Sequence, residues 1–298
     1  MSKITKYIVF TFIATWTITM IGVKDFNSGG TAGLISFSYA TSLGMAMPTI
    51  GALVAKANIR EMGWKPRLSN NVNLLFFAWL APTVFKLIGA LFYFIVFPED
   101  FNATGVFLKE TNPAVFAELE ANGSSYTGYI VSEIFKSLIS IKTFVAVFWG
   151  LGEEIGWRGF FYPELKKYIG RTKALLLGGV VHGAWHFPLM LLVGYEYGYD
   201  YIGAPFLGLF AFCIFTVSTG IISDYLYVKS NSIWFPAIFH GAINSSINPY
   251  LLRGLEHPER TIFGPADIGL ISVIPIVTVA AAILYIENRR ENMEYSEI

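Results

Sequence analysis

The chain is a succession of long apolar runs separated by short polar connections. A spanning helix needs about 20 mainly apolar residues, because a bilayer core is ~30 Å thick and each helical residue rises ~1.5 Å. About eight segments meet that requirement: Tyr7 to Val23, Thr31 to Ala55, Asn73 to Phe97, Tyr129 to Gly152, Ala174 to Gly194, Pro205 to Ser223, Ser232 to Tyr250 and Ile268 to Ile286. The weakest are the fourth, which carries Glu133, Lys136 and Lys142, and the seventh, which is interrupted by His240, Asn244 and Asn248. The pattern predicts an all-α, polytopic integral membrane protein of about eight transmembrane helices. The longest connection, near Pro98 to Gly128, is about 30 residues, which argues for a single transmembrane domain over residues 1–298. The first run follows Lys3 and Lys6 as a secretion signal would. It is long for that role and lacks a small-x-small cleavage site between Lys24 and Gly30, so it reads as a retained span.

Composition sharpens this picture. The chain is 54% hydrophobic and only 14% charged, against roughly 25% charged in a soluble chain, so lipid is its main solvent and the bilayer its first partner. Lys and Arg balance Asp and Glu at 21 each, which leaves no net charge to recruit nucleic acid. The lone Cys213 excludes an intrachain disulfide framework and a multi-cysteine metal site. Positive residues alternate along the connections. Lys3 and Lys6, then Lys56, Arg60, Lys65 and Arg67, then Lys166, Lys167, Arg171 and Lys173, then Lys229, then Arg289 and Arg290 fall on one side. By the positive-inside rule that side is the cytoplasm, with both termini in it, at the cell membrane of a prokaryote.

Ionisable groups within apolar runs carry the chemistry, since each costs at least ~2.5 to 3.5 kcal/mol to insert. They cluster in three places. The fourth run ends in Gly152-Glu153-Glu154-Ile155-Gly156-Trp157-Arg158, the fifth contains His182-Gly183-Ala184-Trp185-His186, and the seventh contains His240-Gly241-Ala242-Ile243-Asn244. Glu154 and Arg158 are four residues apart and share a helical face as an ion pair. Glu153 is turned by about 100° from them and is the carboxylate free to act. His240 and Asn244 share a face as two hydrogen-bond donors suited to an oxyanion, and His182 shares a face with His186. Under the alternating topology the three sets meet in the cytoplasmic half of the membrane. Gly152, Gly156, Gly178, Gly179, Gly183, Gly241 and Ala242 allow their helices to approach closely. A carboxylate and an imidazole aimed at one water suffice to make a nucleophile. No serine or cysteine sits in an evident nucleophile motif.

Taken together, Glu153-Glu154-x-x-x-Arg158, Trp185-His186-Phe187-Pro188 and His240-x-x-x-Asn244 resemble, in order, the three motifs of the CPBP (Abi) family, which includes the type II CAAX prenyl endopeptidases, or Ras-converting enzymes. The motif region covers about residues 150–250. The resemblance implies an eight-span core with an intramembrane cavity and an endopeptidase acting on a membrane-associated substrate, with C-terminally prenylated (CAAX-type) protein as the family's precedent. It implies that Glu153 and His186 activate the hydrolytic water, that His240 and Asn244 hold the oxyanion, and that Glu154 and Arg158 organise the site. His182 stands where the family often has phenylalanine, and Phe187 and Pro188 follow His186 where prenyl endopeptidases often carry further histidines. These departures bear on the substrate and make His182 an accessory candidate.

Other readings stay open on the residues alone. Glu153, Glu154 and Arg158 also fit a helix-end charge network, and His240 with Asn244 fits interhelical hydrogen bonding. His-Gly-Ala-Trp-His has the histidine spacing of a zincin helix, but Gly183 takes the place of its glutamate. Zinc on Glu153, His186 and His240 with an open position is the alternative to a cofactor-free mechanism. Buried Glu, His and Lys also build proton-coupled transporters, and a non-catalytic immunity or scaffold membrane protein would keep the same fold.

Overall fold

The computed structural model describes residues 1–139 and 141–296. It is helical throughout. The helices are α1 (Lys3–Asn27), α2 (Gly30–Val54), α3 (Val72–Val96), α4 (Val106–Thr111), α5 (Pro113–Ala121), α6 (Tyr126–Ile139), α7 (Ile141–Gly156), α8 (Tyr162–Ile169), α9 (Arg171–Trp185), α10 (Phe187–Val193), α11 (Phe206–Ser230), α12 (Trp234–Ser245) and α13 (Ile274–Ser296). Five spans are long and apolar enough to cross a bilayer: α1, α2, α3, the α9–α10 pair and α11. A sixth forms if α6 and the helix continuing from α7, which are inclined by 48°, count as one. Ser140, within the predicted fourth span, lies outside the described residues.

The expected count of eight is therefore not reached by length and apolarity. The predicted seventh span is α12, whose 12 residues reach only ~18 Å. It ends at Ser245, where Ser246 is already extended, and Pro249 a little further on, which offers no amide, begins a short 3-10 turn in place of more helix. The predicted eighth span begins six residues late, at Ile274, and runs on into charged residues up to Ser296. The short α12 packs among α7, α3 and α11, and α13 packs against α11 and α3.

Breaks within helices matter more than their lengths. Between Trp157 and Phe161 the backbone widens into a π turn that joins α7 to α8 without interruption, a feature frequent at functional sites. Between α9 and α10 the chain breaks at a single residue, His186, which caps both helices: its amide donates to Gly183 O at 3.0 Å and its carbonyl accepts from Leu189 N at 3.0 Å. Pro188 explains the break, being tolerated in the first turn of a new helix but not in the interior of an old one.

In lipid, helices gain little from apolar burial against one another, so close packing must hold them together. The centre is aromatic: Tyr7, Trp157, Phe161, Tyr162, Phe235 and Phe239 are essentially inaccessible, and Tyr7 stacks on Phe161 at 5.4 Å. Glycines bring the site-bearing helices into contact. A methyl on Gly241 would lie 2.5 Å from Val147 N, where α12 crosses α7, and a methyl on Gly179 would run into Val217, where α9 crosses α11. Large apolar side chains such as Ile13, Tyr39, Phe76, Leu91, Ile95 and Phe148 point outwards, as a lipid-facing surface requires. Gly241→Ala is expected to force α12 off α7 at a cost of about 1–3 kcal/mol, read as a lowered thermal midpoint of the protein in lipid nanodiscs.

Candidate active site

Three helices and the breaks that follow two of them deliver the site. Glu153 and Glu154 are adjacent near the end of α7, Arg158 follows in the π turn, His182 lies on α9, His186 at the break after it, and His240 and Asn244 one turn apart on α12. Glu153, Glu154 and Arg158 are each no more than 2% exposed. The three sets singled out in the sequence thus meet inside the protein.

Glu154 is the hub. Its Oε1 accepts from Arg158 Nη1 at 3.0 Å and from His240 Nδ1 at 2.8 Å, and the ion pair is 1% exposed on both sides. Since Nδ1 of His240 donates to Glu154, its Nε2 is the atom presented to the reaction space, 3.9 Å from Glu153 Oε1. To donate from Nε2 the ring must be an imidazolium, and two carboxylates against one guanidinium supply the compensating charge.

Glu153 faces away from Arg158, as the 100° turn requires, and its Oε2 meets His182 Nε2 at 3.1 Å. Trp157 packs on the His182 ring at 4.6 Å. His186 donates from Nδ1 to His182 O at 3.1 Å, which leaves its Nε2 as a lone pair free to accept a proton. His182, an accessory candidate in the sequence, is therefore the direct hydrogen-bond partner of Glu153.

A cavity of about 530 Å³ is lined by Glu154, Arg158, His182, His186, His240 and Asn244. Glu153 is not on its wall. It lies behind these groups, reached through His182 and His240. The same cavity is lined by Lys86, Glu196 and Asp267, which the sequence did not single out as a set. Lys86 stood out as a cation within an apolar run, but nothing in the pattern joined it to a loop acid and to a carboxylate at a span boundary.

One ligand atom each from Glu153, His182 and His186 lie within 4.8 Å of one another. This differs from the set expected for zinc, with His182 in place of His240, whose Nδ1 is taken by Glu154. Two imidazoles and a carboxylate are a donor set that a divalent ion accepts. The remaining histidine, His257, lies in a loop polar network, 3.3 Å from Glu259.

A helical membrane protein with carboxylates and imidazoles converging on an internal cavity is the class of molecule these observations define. Comparison with known proteins gives it a particular likeness. Residues 135–246 match the family described as type II CAAX prenyl endopeptidase Rce1-like. Within the curated proteins, the chain is 30% identical to CAAX prenyl protease 2 of Methanococcus maripaludis over 118 residues, 39% of this chain and 42% of that relative's length. The match thus spans less than half of the relative, and the family segment contains all of the Glu, Arg, His and Asn residues of the three motifs.

The Glu154–Arg158 pair yields a stability prediction. Arg158→Met strands a buried carboxylate and is expected to cost about 3–5 kcal/mol, measured as loss of folded, monodisperse protein or a sharply lowered thermal midpoint. Glu153→Gln, which preserves shape and a hydrogen bond to His182, is expected to remain folded in the same measurement.

Proposed function

We propose that the protein is an intramembrane endopeptidase that cleaves a membrane-associated protein or peptide, with a prenylated C-terminal substrate as the leading instance. One observation carries the reading: Glu153 sits 3.1 Å from His182 and 3.9 Å from His240, on helices distant in sequence, behind a cavity that also receives His186 and Asn244. The match of residues 135–246 to the endopeptidase family supports it.

In this mechanism Glu153 and His186 polarise a water and take its proton as it attacks the scissile carbonyl. His182 holds Glu153 through its Nε2. The carbonyl oxygen, becoming negative, is received by His240 Nε2–H and the Asn244 amide on one face of α12. Glu154 and Arg158 set the orientation of the His240 ring. The proton taken from water then passes to the departing amine as the C–N bond breaks, so the catalytic groups end the cycle as they began it. A divalent ion held by Glu153, His182 and His186 would supply Lewis-acid polarisation of water. The cofactor-free route is the one we propose.

The alternating Lys and Arg residues support a topology with both termini in the cytoplasm and the site opening toward the cytoplasmic half of the membrane.

Cleavage of a prenylated peptide and of transmembrane peptides by protein reconstituted in lipid tests the proposal. Glu153→Gln and His186→Ala are each expected to lower turnover by at least about 100-fold while the protein stays folded, and turnover like wild type in either would refute it. For the cofactor, activity is expected to persist after chelation and to show no correlation with zinc content. Stoichiometric zinc lost together with activity would instead assign the Glu153, His182 and His186 donors to a metal.

A further inference from the structure

Beyond the Glu/His set, the cavity wall carries three more ionisable groups: Lys86 from α3, Glu196 from the loop after α10, and Asp267 from the segment before α13. Lys86 is already engaged. Its Nζ donates to Ile243 O at 2.9 Å and lies 3.6 Å from Asp267 Oδ1, with both side chains at most 12% exposed. Glu196 has no direct contact of that kind, and Lys86 acts on it only through space while paired with Asp267. Among the described residues it forms no ion pair, and the hydrogen bond it receives comes from its neighbour Tyr195.

The backbone around Glu196 is held as if its position mattered. Its φ is +75°, in the left-handed region that disfavours any residue with a side chain. Glycine would relieve that strain, yet a glutamate occupies the position. The loop is pinned next door, where buried Tyr197 donates from its hydroxyl to Ile268 O at 2.7 Å, and again where Ile202 N donates to Glu259 O at 3.0 Å. Glu196 and Asp267 line the same cavity and act on each other electrostatically.

Charge decides what this wall accepts. On and immediately behind it stand four carboxylates, Glu153, Glu154, Glu196 and Asp267, against two permanent cations, Arg158 and Lys86. Arg158 answers Glu154 and Lys86 answers Asp267. Burial, reinforced by Asp267, pushes the Glu196 carboxyl up to about 6, so it is mainly ionised at pH 7. Lys86 serves both Asp267 and Glu196, so these two partly dehydrated carboxylates are one cation short, which is costly, and a ligand that brings a cation removes the cost.

We propose that Glu196 is a specificity-determining residue that receives a lysine or arginine side chain of the substrate, from a position flanking the scissile bond. The assignment rests on the peptidase reading of the same cavity. It makes the substrate class a membrane-associated peptide with a basic residue beside the cleaved bond.

The test uses full-length protein in lipid nanodiscs and lipid-anchored peptides that differ only in one norleucine, changed in turn to lysine or glutamate at each position flanking the cleaved bond. At one position lysine is expected to raise kcat/KM roughly tenfold or more over norleucine, chiefly through KM, as a charged hydrogen bond should. Glutamate is expected to lower it. Glu196→Gln should bring lysine down to the norleucine level, and Glu196→Lys should turn the preference toward glutamate. Cleavage without charge preference, or a lysine preference that persists in Glu196→Gln, overturns the assignment and leaves the peptidase reading standing. Equilibrium binding of the same peptides to Glu153→Gln protein keeps the two readings apart. If no peptide is cleaved, the peptidase reading fails, whereas tighter binding of the lysine peptide that disappears on adding Glu196→Gln still supports the charge-selective wall. Equal binding of the lysine and norleucine peptides overturns it.

Discussion

Everything in the cavity depends on one buried carboxylate with two donors. Glu154 takes a guanidinium hydrogen bond from Arg158 and an imidazole hydrogen bond from His240 on the same oxygen. A carboxylate in so dry a place is tolerable only when paired and hydrogen-bonded. Satisfying it ties α7 to α12 and fixes which nitrogen of His240 faces the substrate. The same pairing leaves Glu153, one residue earlier, turned toward His182 behind the cavity wall.

The supporting structure meets demands set by lipid. Helices that cannot gain much from apolar burial need close approach, and Gly241 and Gly179 provide it at the crossings that carry His240 and His182. The π turn at Trp157 to Phe161 and the one-residue break at His186 disturb helices where functional groups must be aimed. Unpaired backbone groups in a bilayer are admissible only where protein or an internal cavity surrounds them, and His186 lies on such a cavity wall. Hydrolysis in a membrane needs water held away from lipid, and a polar cavity between helices supplies that place.

The wall opposite in character, with Lys86, Glu196 and Asp267, couples chemistry to recognition. Lys86 pairs with Asp267 and donates to a backbone carbonyl, which leaves Glu196 and Asp267 together one cation short. On the proposed function, substrate charge enters the energetics of the same space in which the peptide bond would be broken.

Much of this protein is legible in its sequence. Hydropathy alone dictates a helical membrane protein, because no other secondary structure satisfies its own backbone within each apolar run. Helical spacing also separates Glu153 from the Glu154–Arg158 pair, since side chains four apart share a face and neighbours do not. The likeness of residues 135–246 to the Rce1-like endopeptidases follows from the same short motifs. Tertiary structure decided what spacing cannot carry. α12 proved too short and α13 too charged to count as spans by apolarity, because apolar runs do not reveal where a helix stops or what shields it. His182 became the partner of Glu153, and Lys86, Glu196 and Asp267 came together from three distant parts of the chain. Such contacts depend on how helices cross, and the crossing is set by packing between surfaces that no single segment contains.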